Sequence, residues 1–468
     1  MNLDKEIVLN RFDMFKNDTD IAKETIEFLQ AIIKYDTSNP PGNELELAKY
    51  LQERFEKEKI SFMKTKVIET TPNRGNLVVT IEGSDPANNK SYGFATHLDV
   101  VPVDEKEWKY PPFSGELVKD EHDSFIWGRG TMDTKGHLVS MAMAIITLLR
   151  EGFRPKGTIK LIFEADEEVG GHQGMEKLVA EYWEDVKVDY FLTEGGGFKV
   201  PFGDDIVINI GEKGKAQTKL IAKGVSGHGS MPDPYDEFAM YKLVKILEKI
   251  RTRNIKIYMG DEYKEFVKSI SLPGIFRFLM GRKSIIKGLA KLVKAITKQD
   301  LGKVLIPMIS DTISPTIIKG GSKENVISPT CELTLDIRTL PGHDREFINK
   351  RLEEIIGKKL FSEIEVAPVD DMPASTAPIG SEFYNQIGEV LDDIYPGGNL
   401  LPILGMGATD MRYFRPKGVP SYGFTPLLKD KDLSWSDLTS LAHAPNERLS
   451  VTNLMIATDF FYRLMKRV

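Results

Sequence analysis

Short apolar runs alternate with stretches of helical spacing from residue 77 onward, and several of the runs end on an ionisable side chain. Residues 77–82, 91–98, 158–164 and 189–193 read as strands, and 133–151 and 174–183 as helices. That alternation restricts the chain to an α/β fold: a mixed, largely parallel sheet flanked by helices. Ligands of such sheets gather at the carboxyl ends of the strands. His97, Glu167 and Glu194 fall at or just past three of those ends. Two amphipathic helices, 21–35 and 44–59, come before, separated by the breaker Thr37-Ser38-Asn39-Pro40-Pro41-Gly42.

From about Gly211 the pattern changes. Strands 215–222, 332–338 and 363–366 are interspersed with helices 235–251 and 344–360, the signature of a smaller two-layer α+β sandwich. After Pro373 a helix at 381–391 and a final αβ stretch resume. The 468 residues exceed what one ordinary core holds. The expected organisation is therefore a catalytic domain from 1–210 and 374–468, with an inserted lid domain, 211–373. Within the lid, Lys283, Lys287, Lys291, Lys294 and Lys298 form one stripe of a basic amphipathic helix over 282–299. A solvated lid face is the expected reading, and a membrane or acidic partner the alternative.

Composition narrows the partners. The formal net charge of −7 argues against nucleic acid. Cys331 is the only cysteine, which rules out an intrachain disulfide and cysteine-rich zinc sites and fits a reducing compartment. Met1-Asn2-Leu3-Asp4-Lys5-Glu6 lacks the apolar core of a signal peptide, so a cytoplasmic location is expected. The apolar stretch 138–149 is too short to span a bilayer and reads as a buried helix, so no membrane partner is expected.

Five segments carry the chemistry. In Ala95-Thr96-His97-Leu98-Asp99, strand geometry puts His97 and Asp99 on one side, so that the carboxylate can orient the ring. Trp127-Gly128-Arg129-Gly130-Thr131-Met132-Asp133 forms a glycine-bounded loop that either thrusts Asp133 into a site or caps the following helix. In Glu164-Ala165-Asp166-Glu167-Glu168, one of two adjacent glutamates can bind metal while the other acts as base. Glu194 ends an apolar run, and His443 sits in Ala442-His443-Ala444-Pro445-Asn446-Glu447. His97, Asp133, Glu168, Glu194 and His443 together supply two imidazoles and three carboxylates. One shared carboxylate gives each of two metals three protein ligands and leaves room for a bridging water. This donor set suits zinc, with cobalt or manganese next.

In this order the segments resemble the dinuclear zinc family of aminoacylase, carboxypeptidase S, glutamate carboxypeptidase, acetylornithine deacetylase and succinyl-diaminopimelate desuccinylase. The Asn39-Pro40-Pro41-Gly42 stretch, the run from Trp108 to Phe113, and Asn325-Val326-Ile327 ahead of Asp336-Ile337-Arg338 extend the likeness over nearly the whole chain. The resemblance implies one metal on His97, Asp133 and Glu194 and a second on Asp133, Glu168 and His443. It implies Glu167 as general base, Asp99 as orienter of His97, and a cis Asp133–Thr134 bond. It also implies a homodimer joined through the lids, in which His228 reaches the partner's site. Arg338, Asn325, Arg412, Gly407 and Thr409 are the candidates for binding substrate. His122 and His343 read as exposed loop residues, and His137 and His172 match no family ligand.

The expected activity is metal-dependent hydrolysis of an amide next to a free carboxylate, in a peptide or an N-acyl amino acid. A desuccinylase, deacetylase or dipeptidase would use the same ligands. Loss of the base would mark an inactive binding homologue, but Glu167 is present. A dinuclear phosphoesterase would need a phosphate cradle, and none is found.

Overall fold

The computed structural model describes residues 14, 19–85, 87, 90–120, 123–200, 203–232, 237–288, 302–428 and 441–468. A nine-stranded sheet forms its larger layer, in the order Met63–Thr71, Arg74–Ile81, Thr158–Glu164, Ser91–His97, Tyr190–Thr193, Ser421–Gly423 and Asp205–Glu212. Asn399–Gly405 and Ser375–Thr376 complete it against Asp205–Glu212. The four strands from Thr158–Glu164 to Ser421–Gly423 are mutually parallel, and their neighbours on both sides run antiparallel to them.

The apolar runs are continuous because both sheet faces are covered. Along Thr158–Glu164, Ile159, Leu161 and Phe163 join the main core, whereas Ile162 joins a second cluster with Val78, Ala95 and Phe191. The helix Lys135–Arg150 crosses the first face, and every residue from Lys135 to Leu149 is buried. A helix apolar on all sides is a core helix, and its outer side is covered by Thr19–Ile33 and Val451–Arg467. No helix of the described residues is long and apolar enough to cross a membrane.

A separate four-stranded antiparallel sheet has the order Thr312–Gly320, Thr330–Thr339, Gly214–Lys223, Ile364–Met372. The helices Ala239–Thr252 and Arg345–Ile356 pack on it around Leu220, Leu243, Leu335 and Leu352. The helix expected over 344–360 breaks at Gly357, whose φ of 89° only glycine adopts readily, and resumes as Lys358–Ser362. Strand Gly214–Lys223 follows directly on the main-sheet strand Asp205–Glu212, and Ile364–Met372 leads back to it through Ser375–Thr376. Of the basic stretch at 282–299, the described part ends at Gly288; there Lys287 Nζ donates to Ile255 O at 2.6 Å and Ile286 is buried. Lys291, Lys294 and Lys298 lie outside the described residues, as does His122.

Candidate metal centre

The parallel strands deliver the first site residues. His97 is the last residue of its strand, opposite Glu164 in register, and is 1% exposed. Its Nε2 lies 3.0 Å from Asp133 Oδ1 and 3.9 Å from Glu194 Oε2. The other oxygen of Asp133 is 3.0 Å from His443 Nε2, which is also 3.0 Å from Glu168 Oε2. Asp133 thus stands between the two imidazoles, the place of a bridging carboxylate. Ligand atoms of His97, Asp133 and Glu168 lie within 4.8 Å of one another, and so do those of His97, Glu167 and Glu194.

The Asp133 loop is held from the far end of the chain. Glu447, fully buried, accepts from Arg129 Nη1 at 2.6 Å and Gly130 N at 3.0 Å through Oε2. Through Oε1 it accepts from Met132 N at 2.7 Å and Asp133 N at 3.1 Å. Arg129 Nη2 also donates to His443 O at 3.2 Å, so one ion pair positions both a carboxylate and an imidazole of the centre. The Asp133–Thr134 bond is cis, in keeping with the resemblance.

Asp99 sits differently from expectation. The nearest partner of His97 Nδ1 is the main-chain oxygen of Asp99, at 2.9 Å, with the carboxylate at 3.6 Å. That carboxylate is engaged elsewhere: it accepts from Glu167 N at 3.1 Å, Glu168 N at 3.2 Å and Asn39 Nδ2 at 2.8 Å. Asp99 therefore fixes the two-glutamate turn as well as the histidine. Asn39 Nδ2 also reaches Asp166 Oδ1 at 3.1 Å, and Arg74 Nη2 donates to the same oxygen at 2.5 Å. The sequence marked Asn39 as part of a breaker and of the family likeness without a role, and Arg74 and Glu447 went unassigned. An acid four residues after His443, in the same short segment, was the available signal for Glu447.

The electrostatics call for a cation. Among the described residues no lysine or arginine pairs with Asp133, Glu168 or Glu194, and Glu168 Oε1 is buried without a partner. Burial, followed by the charge of Asp133, pushes the Glu194 carboxyl up to about 8. Burial and the charge of Glu194 push Glu167 well above the usual carboxylate range. Hydrogen bonds to Asp133 and Glu168 lift His443 to about 10. Clustered acids facing two imidazoles with no basic side chain among them make a donor set that divalent ions would compensate. The residues fit two such ions, with Asp133 shared.

Of the substrate candidates, two are committed elsewhere. Thr409 spends both donors on buried Glu212, through N at 2.5 Å and Oγ1 at 2.6 Å, and has none left for a ligand. Arg412 is 9% exposed, donates to Gly170 O at 2.8 Å and lies 3.7 Å from Asp410, so it supports the turn after Glu168 rather than offering an open cation. Gly407 lines a cavity beside Asp133 and Glu194. Arg338 lies 3.1 Å from Asp336 Oδ1 and is partly exposed at the lid strand's end. His228 and Asn325 meet on an exposed ribbon pairing Gly227–His228 with Val326–Ile327, where Gly229 N donates to Asn325 O at 2.9 Å. His228 Nδ1 bonds Ser230 Oγ at 2.7 Å and touches no member of the cluster. His343 is not an exposed loop residue: it pairs with Asp311 at 2.8 Å and stacks on Phe347.

Residues 93–467 match the model of peptidase family M20/M25/M40. The chain belongs to that family. It is 28% identical over 407 residues to probable carboxypeptidase S-like 2 of Dictyostelium discoideum, covering 84% of this chain and 74% of the relative. It is 25% identical over 400 residues to the N-fatty-acyl-amino acid synthase/hydrolase PM20D1 of Xenopus tropicalis, covering 82% and 74%. In three dimensions it resembles the M20 family metallo-carboxypeptidase Sso-CP2 from Sulfolobus solfataricus, with a TM-score of 0.68 at 21% identity over 95% of this chain and 98% of that one. The chain is a hydrolase of amide or peptide bonds, and its family typically binds two metal ions.

Proposed function

We propose that this M20 member hydrolyses an amide adjacent to a free carboxylate, with Glu167 as general base. The observation that carries this reading is one turn, pinned by Asp99, that presents Glu168 to His443 and leaves Glu167 beside Glu194. His97, Asp133 and Glu194 would hold one divalent ion and Asp133, Glu168 and His443 the other, with zinc the best match to the donors and cobalt or manganese next. Such ions would polarise the scissile carbonyl and acidify water. Glu167 accepts a proton as water adds to the carbonyl carbon, then delivers it to the nitrogen as the C–N bond breaks. Its raised affinity for a proton, from burial and Glu194, equips it to hold that proton between the two steps.

The free carboxylate calls for a cation, and Arg338, partly exposed and paired with Asp336, is the candidate, with Asn325 and Gly407 as further candidates for binding substrate. Masking the substrate carboxylate as an amide, or replacing Arg338 with alanine, should raise KM at least about tenfold, the scale of one lost charge-assisted contact. Equal kinetics on masked and free substrates would remove this part of the reading.

We also assign the lid to 211–373 and infer a cytoplasmic homodimer joined through it. Two features support the dimer. The lid's edge strand Thr312–Gly320 exposes Ile317 and Ile318, and the helix Ala239–Thr252 exposes Met240, Tyr241 and Val244. Buried Cys331, with no second cysteine, supports the compartment, which cell fractionation checks. His228, exposed in the single chain, would act in trans. Mixing His228→Ala with Glu167→Gln subunits should restore part of the activity, and no recovery after verified exchange would argue for a monomeric or cis-acting site.

A further inference from the structure

The helix Asp261–Ser269 is followed by a short helix, Gly274–Met280, and a turn that carries the chain to Ile286. Two side chains tie this segment down. Met280 and Ile286 are buried in one cluster with Tyr263, Phe266 and Ile270, and Tyr263 Oη donates to Met280 O at 3.2 Å. Most of what lies around them faces outward. Ile275 is 61% exposed, Phe276 45% and Phe278 55%, and Ile285 in the following turn is exposed as well. Phe276 and Phe278 are the only exposed phenylalanines among the described residues.

The charge of the segment is one-sided. Between Glu265 and Asp300 the sequence holds no Asp or Glu, in a chain whose formal net charge is −7. Lys268 pairs with Glu265 at 3.3 Å, and Lys287 spends its Nζ on Ile255 O at 2.6 Å. Three cations remain. Arg277 Nη1 donates to Lys268 O at 3.2 Å, and the Arg282 guanidinium lies 4.4 Å from the Phe278 ring centre. Among the described residues no carboxylate pairs with Arg277, Arg282 or Lys283.

Apolar side chains clustered on a surface mark a place that something covers. The charges decide among the occupants. A second copy of the chain would set these three cations against themselves, and like charges repel. An acidic protein would neutralise them, but both rings would then need pockets shaped to fit. The surface of an anionic bilayer meets both demands at once. Its headgroups take the cations and its acyl boundary takes rings of any orientation, while arginine and lysine reach back to the headgroup level.

We propose that residues 271–285 dock the chain on an anionic lipid surface. Ile275, Phe276 and Phe278 enter the acyl boundary, and Arg277, Arg282 and Lys283 meet the headgroups. This is attachment at the interface, since no helix of the described residues is long and apolar enough to cross a membrane.

The test is flotation of the full chain with vesicles of phosphatidylcholine alone and of phosphatidylcholine mixed with phosphatidylserine. Binding is expected to the mixed vesicles only and to weaken as salt is raised. Arg282→Gln with Lys283→Gln should lower the affinity about thirtyfold, the loss of two cations near an anionic surface. Phe276→Ser with Phe278→Ser should lower it at least about tenfold, the loss of two rings from apolar surroundings. All these side chains are exposed, so thermal unfolding of both variants should match that of the unsubstituted chain. As a separate readout, Phe276→Trp should be quenched by lipids brominated in the acyl chain. Equal binding to both vesicle types overturns the proposal, and so does binding that the phenylalanine pair leaves intact. No vesicle binding overturns it too. Self-association that the phenylalanine pair abolishes would then assign the face to a second copy, and its absence would leave an acidic protein as the occupant.

Discussion

Single side chains decide what the Glu167–Glu168 turn can do. Both backbone amides donate to Asp99, yet the two carboxylates face different neighbours: Glu168 meets His443, and Glu167 meets Glu194 and His97. Glu167→Gln keeps the size and removes proton acceptance. It should leave metal content near that of the unsubstituted chain and lower kcat by about a hundredfold to ten-thousandfold. Glu168→Gln should instead lose the second ion. Metal analysis alongside steady-state kinetics distinguishes the two, and stripping of metal by Glu167→Gln alone would reverse the roles. At this scale the convergence of His97, Asp133, Glu168, Glu194 and His443 was legible from their ordered segments taken together, since each segment alone has a bland alternative. Thr409 and Arg412 were not, since their partners, Glu212 and Gly170 O, are 197 and 242 residues away and no local pattern announces them.

Elements explain how residues so far apart in sequence become neighbours. Strands Ser91–His97 and Thr158–Glu164 run parallel in register, which puts His97 and the Glu167–Glu168 turn at one sheet end. The Asp133 loop and the His443 segment come together through the buried Arg129–Glu447 pair, and Glu447 leads into strand Arg448–Ser450, which pairs with Ser124–Trp127. Glu447→Gln should leave Arg129 poorly compensated and cost about 3–5 kcal/mol of stability, the usual effect of breaking a buried ion pair. Metal affinity should fall roughly 10- to 100-fold, as for other groups that position ligands. Denaturant titration and competitive chelation measure the two, and a variant unchanged in both would show that the loop holds itself. Apolar runs and helical spacing made three of the four parallel strands and the helix Lys135–Arg150 readable, but not the three-residue strand Ser421–Gly423. The strand Asp205–Glu212 was missed because the change of pattern near Gly211 drew attention to a boundary where the sheet in fact continues.

Across the molecule, the architecture places the candidate metal centre at the carboxyl end of the parallel strands, with a second small sheet on its own core following directly in the chain. That division was legible as a change from α/β to α+β patterning, whereas the contacts of the lid ribbon bearing His228 and Asn325 depend on tertiary pairing of segments about a hundred residues apart. The central claim is that His97, Asp133, Glu168, Glu194 and His443 hold the ions on which hydrolysis depends. The most direct measurement is metal content and amide hydrolysis on the same sample before chelation, after it, and after divalent metal is returned. The account predicts close to two ions per chain, loss of hydrolysis with the ions, and recovery with zinc, cobalt or manganese. Full hydrolysis by a sample holding only trace metal would contradict it.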